Sequence, residues 1–174
     1  ASVKWRIAGD ALFSDSSWMP QLALGASYKR NLDFDLVPTL LGAKKDSDTE
    51  LLLTASRLWF AALAGRNLLV NAGLRYTRAN QFGLLGFGGD KDSGHTWQAE
   101  YSAALFVSDA WLLGAEFRQK PDLLSAVEEN DAYDFFLAYV PNRRLALTAA
   151  YVVLGDVAIK TDQAGAYLSV MLNF

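Results

Sequence analysis

His95 is the chain's single histidine, and Asp92 and Ser93 lie just before it. A hydroxyl, an imidazole and a carboxylate are the residue set of acyl transfer, with the imidazole taking the hydroxyl proton. Residues this close in sequence do not normally converge as a triad. A solvated loop histidine is therefore the better reading, and a lipid-modifying enzyme using His95 is the weakest of the functional readings. Asp90, Asp92 and Gly94 repeat part of a calcium loop, but the third ligand and the closing Glu are not where that loop needs them. Gly83, Gly86, Gly88 and Gly89 precede no Gly-Lys-Ser/Thr, so they make no phosphate loop; they let backbone bend. Cysteine is absent, which removes thiol catalysis, disulfides and cysteine metal sites. No catalytic group, metal site or cofactor is expected.

The charged residues that recur at strand spacing are more informative. Lys4, Arg6, Asp10, Lys29, Arg75, Glu100, Glu116, Arg118, Asp134 and Arg144 fall on one face of the segments that carry them. A mixed set of this kind either pairs internally or lines a water-filled space. The acidic clusters Asp46, Asp48, Glu50 and Glu128, Glu129, Asp131 read as solvated loops. With 16 Lys and Arg against 19 Asp and Glu, the net charge of −3 gives no basic bias toward nucleic acid.

Period-two alternation is the signal for the elements that must hold these charges. Leu168, Val170 and Leu172 alternate with Tyr167, Ser169 and Met171; Leu68, Val70, Ala72 and Leu74 alternate with Leu69, Asn71, Gly73 and Arg75. The pattern predicts nine strands, at about 2–12, 20–30, 49–60, 67–79, 95–107, 110–120, 132–140, 144–154 and 163–174. Long linkers fall at 31–48, 80–94, 121–131 and 155–162. At 174 residues the chain is expected to be one domain, 1–174.

The apolar face carries aromatics near the strand ends, Trp5, Tyr28, Trp59, Tyr76, Trp97, Trp111, Tyr151 and Phe174, as a membrane-interface girdle does. That face is too bulky to fill the interior of a small soluble barrel. The expectation is therefore an all-β, transmembrane, antiparallel up-and-down β-barrel in the bacterial outer membrane. An odd strand count implies at least one more strand before Ala1, in a barrel of ten to twelve. Expected partners are outer-membrane lipid and lipopolysaccharide, the barrel-insertion machinery through Phe174, and a second copy or another protein; nucleic acid is excluded. Phe82, Leu84, Leu85 and Phe87 make an unusually apolar loop, a candidate plug or contact.

The segments NQFGLLGFGGD (80–90) and GAEFRQKPD (114–122), with GASYKRN (25–31), GRNLLVNAGLRYTRA (65–79) and LTAAYVVLG (147–155), resemble an uncharacterised proteobacterial family known only as a domain of unknown function. The resemblance covers roughly residues 20–174. It implies an outer-membrane barrel with a longer N-terminus and a signal peptide, and it supplies no activity or site residue. The first functional expectation is a porin-like passive channel for small polar solutes. A closed docking barrel that anchors a partner stays open beside it.

Overall fold

The computed structural model describes residues 1–11, 19–158 and 160–173. Nine strands account for most of it: β1 (Ser2–Ala8), β2 (Gln21–Arg30), β3 (Ser47–Leu63), β4 (Arg66–Thr77), β5 (Thr96–Phe106), β6 (Trp111–Arg118), β7 (Ala132–Asn142), β8 (Leu145–Val157) and β9 (Lys160–Leu172). One helical turn, α1 (Val37–Leu40), and a 3-10 turn (Asn80–Gly83) interrupt the connections. Alternating side chains and strand-forming Leu, Val, Tyr and Trp make each segment extended.

The strands form a single antiparallel sheet in sequence order, each hydrogen-bonded to its chain neighbours. Register fixes which residues share a face. Leu53 opposes Leu74, Leu74 opposes Ala99, Ala103 opposes Ala115, and Ala115 opposes Phe135, all on the apolar face. Glu100 opposes Arg118, and Glu116 opposes Asp134, on the polar face. The β3–β4 hairpin closes at Ala64 and Gly65, with φ of 47° and 73°. Two successive left-handed residues match the twist of the flanking strands, which is why a Gly stands there.

The sheet is open. Among the described residues β1 pairs only with β2 and β9 only with β8. This corrects the transmembrane β-barrel expected from the sequence. Alternation reports that one face of a sheet is apolar; closure is a property of how the end strands pair, and no period encodes it. The readings built on closure go with it: a porin-like channel and a closed docking barrel. So do the outer-membrane location, the partnership with its lipid and lipopolysaccharide, insertion by the barrel machinery, and the second copy or protein partner inferred from that setting. Phe174, assigned to insertion and to the aromatic girdle, lies outside the described residues. No helix among the described residues is long and apolar enough to cross a membrane.

The surface area is large for the mass. The chain exposes 10768 Å², against roughly 8,400 Å² for a compact monomer of this mass. Much of the excess is the apolar face, where Trp5 is 71% and Leu168 80% exposed. A small hydrophobic core forms instead where three long connections meet: Ala43, Leu85, Leu124 and Val127 pack together with Phe34 and Leu41. The fourth predicted linker, 155–162, is mostly strand. β8 runs on to Val157 and β9 starts at Lys160, with register shifts either side of Gly155 absorbing the irregularity.

Candidate functional site

Chemistry concentrates on the polar face, which the connections partly roof. One recess there is a cleft of about 540 Å³ over β6, β7, β8 and β9. Glu116 and Arg118 of β6 and Asp134 of β7 supply its charge; Phe136, Tyr167 and Phe82 supply aromatic walls. Period two places Glu116, Arg118, Asp134 and Phe136 on one face, and register sets Glu116 directly across from Asp134. Directly opposed cross-strand residues have Cβ atoms about 5 Å apart, so the two carboxylates feel each other. Gly114 opposes Phe136, and the missing side chain is what lets the Phe136 ring lie down across β6.

Arg118 Nη2 lies 3.5 Å from Glu116 Oε2. Burial raises the Glu116 pKa above the usual carboxylate value; Arg118 offsets part of that, and the nearby charges of Asp134 and Glu100 push it further up. Asp134 is raised by burial too, against the pull of Arg118. The cleft thus holds two carboxylates against one guanidinium, with both acids short of counter-charge.

A tighter ion network borders it. Arg75 is buried at 4% exposure and lies 3.0 Å from Glu100 and 3.8 Å from Glu50, while Lys29 reaches Glu50 at 2.7 Å. Arg75 Nη2 donates to Gln119 O at 3.1 Å, and the Thr77 hydroxyl donates to Glu50 at 3.1 Å. The guanidinium also sits 5.1 Å from the Phe82 ring centre, within cation–π range.

His95 pairs with a carboxylate. Its Nε2 lies 2.7 Å from Asp48, which also accepts from Arg78 Nη2 at 2.7 Å and Nε at 3.0 Å, and its ring stacks on Tyr76 at 5.0 Å. Burial opposes ionisation of Asp48, but the Arg78 hydrogen bonds and charge and the His95 charge outweigh it, and its pKa falls. This cluster ties β3 to β4 and the 78–95 connection. Asp90, set aside as a calcium ligand, accepts hydrogen bonds from the Ser125 hydroxyl and backbone N–H, which lower its pKa. Among the described residues no three His, Asp or Glu are placed to hold a metal ion.

The remaining residues singled out in the sequence scatter. Lys4 lies on the polar side of β1; Arg6 pairs with Asp10 at 3.5 Å; Arg144 sits in the β7–β8 turn, away from the cleft. Trp5, Tyr28, Trp59, Trp97, Trp111 and Tyr151 project from the apolar face, and Tyr76 is half-buried between His95 and Trp97. The apolar loop divides: Leu85 and Phe87 are buried, Leu84 is exposed, and Phe82 turns toward the cleft.

Two functional contacts had no sequence signal. Lys120, at the end of the predicted strand 110–120, and Glu129, read as solvated acidic loop, form a buried pair at 3.4 Å, with Lys120 Nζ donating to Leu154 O at 2.8 Å. Burial pushes the Glu129 pKa up to about 7 despite Lys120. The Gln81 side chain donates to Asp156 O and accepts from Ala158 N–H, both at 3.1 Å. Phe136 and Tyr167 did carry a signal, since both fall at polar-face positions by period and face small partners, Gly114 and Ala150.

The chain matches no curated protein and no solved structure. A family model, described as "Protein of unknown function (DUF3034)", matches residues 1–171. The expectation that its family is one of outer-membrane barrels is corrected by the open sheet. With nearly its whole length matched, the chain belongs to the DUF3034 family.

Proposed function

We propose that this chain is a non-catalytic binding protein whose polar-face cleft takes a small organic cation. The observation that carries the reading is a surplus carboxylate in an aromatic-walled recess. Glu116 and Asp134 share the single Arg118, and burial already disfavours their ionised forms. An ammonium group entering the cleft supplies the missing counter-charge, and Phe136, Tyr167 and Phe82 offer apolar surface and ring faces to its body. The volume of about 540 Å³ suits a single-ring amine.

Calorimetric titration with benzylamine and with benzyl alcohol, its uncharged counterpart, tests this. The amine is expected to bind and the alcohol to bind at least about tenfold more weakly, a difference of about 1.4 kcal/mol. Replacing both acids, Glu116→Gln with Asp134→Asn, is expected to abolish the preference. Equal binding of amine and alcohol would overturn the reading, as would a double variant that still prefers the amine.

A further inference from the structure

The 3-10 turn at Asn80–Gly83 crosses the polar face in an unusual conformation. Gln81 and Phe82 have φ of 46° and 60°, so two successive residues with side chains occupy the left-handed region that glycine normally fills. Strained backbone of this kind persists only where its surroundings over-determine it. Here they do. The Gln81 amide bridges to Asp156 and Ala158, at the far end of β8, through both its oxygen and its nitrogen. Lys29 Nζ reaches Phe82 O at 3.4 Å, Asn80 Nδ2 donates to Gly88 O at 2.9 Å, and Phe87 exchanges backbone hydrogen bonds with Lys45. The segment is fastened to the sheet on both sides, and the result is a phenyl ring over the cleft with Arg75 beside it.

We infer that Phe82 sets the size of the cation that the cleft admits, and that Gln81 is the residue that positions it. The inference rests on the binding reading above and adds what selects among ligands. Among the described residues, Phe82 is the one wall of the cleft that comes from a connection instead of a strand, so it is the wall whose position the sheet does not fix. Gln81, next to it in the chain, supplies the fixing. The Phe82 ring lies against Arg75, whose guanidinium is paired with Glu100, so the acids that line the cleft for a ligand are Glu116 and Asp134.

The test compares benzylamine with the bulkier 1-naphthylmethylamine on the wild type, Phe82→Ala and Gln81→Ala. It also follows hydrogen exchange of the Leu84, Leu85 and Gly86 amides without ligand. Neither substituted residue belongs to a strand, and circular dichroism checks that the sheet persists. The wild type is expected to favour benzylamine about tenfold, Phe82→Ala to erase or invert that ratio, and Gln81→Ala to move it the same way while the three amides exchange about tenfold faster. A wild type indifferent to size, or a ratio unmoved by Phe82→Ala, overturns the assignment of Phe82. Unchanged ratio and exchange in Gln81→Ala overturn the assignment of Gln81. If the wild type binds neither amine, the binding reading itself has failed, the role of Phe82 falls with it, and exchange alone decides whether Gln81 fastens the turn.

Discussion

Arg75 and Glu129 are both buried and charged, yet their surroundings treat them in opposite ways. Arg75 has two carboxylates and a carbonyl around it, so its charge is compensated where it sits. Removing one member of such a set leaves the others uncompensated. Arg75→Met is expected to destabilise the fold by about 3 kcal/mol in urea denaturation, because Lys29 still serves Glu50 while Glu100 loses its 3.0 Å ion pair. Glu129 has Lys120 and the Gln81 backbone N–H beside it, and burial outweighs both. Its pKa rises from 4.5 to about 7. The folded state therefore holds a proton that the unfolded chain has lost, so this group's contribution to stability is complete below pH 4.5 and disappears as pH rises to about 7. Glu129→Gln is expected to flatten the fall in stability across that interval, measured by urea midpoints at several pH values. An unaltered pH profile would contradict the assignment. Neither residue was legible in this role. Arg75 was recognisable as a polar-face charge from its period, but its partners depend on register, and Glu129 sits in a run of acids that resembles solvated loop until a connection folds over it.

At the scale of elements, strands were far more legible than connections. All nine lie where period two puts them, because alternation is a local property that the sheet then uses without change. Pairing adds what the pattern lacks, as at Gly114. Across from it lies Phe136, and a Cβ at Gly114 would stand 2.6 Å from Ala103 O and closer still to the ring. Gly114→Ala is expected to cost about 1–3 kcal/mol by overpacking and, by lifting Phe136 into the cleft, to weaken benzylamine binding. A variant with wild-type stability and affinity would show that the ring is not seated on the glycine. Connections were opaque for a physical reason. The 80–94 segment is apolar and glycine-rich, which fits a plug, an interface or a packed loop equally well, and only its contacts with Lys45, Asp156 and Ala158 distinguish them.

Over the described residues the molecule is a sheet with two chemically different faces and unpaired outer edges on β1 and β9, and its openness is the property furthest from the sequence. An alternating pattern with aromatics at the strand ends is compatible with a closed barrel and with an open sheet, since both bury or expose whole faces at once. The open arrangement makes its own demands. Leu168 is 80% exposed with little packed against it, so Leu168→Lys is expected to change stability by less than about 0.5 kcal/mol, whereas a covered face would make the substitution costly. The outward-pointing amides of β1 and β9 are expected to exchange with solvent faster than those of β5, which is bonded on both sides. Function, on the proposed account, belongs to the opposite face, where two acids share one guanidinium between aromatic walls. The most direct measurement is a benzylamine titration followed through the carboxyl carbon resonances of the protein. The signals of Glu116 and Asp134 are expected to move together and saturate, while those of Asp46 and Asp156, outside the cleft, stay still. Carboxyl signals that move elsewhere, or that do not move as amine is added, would contradict the account.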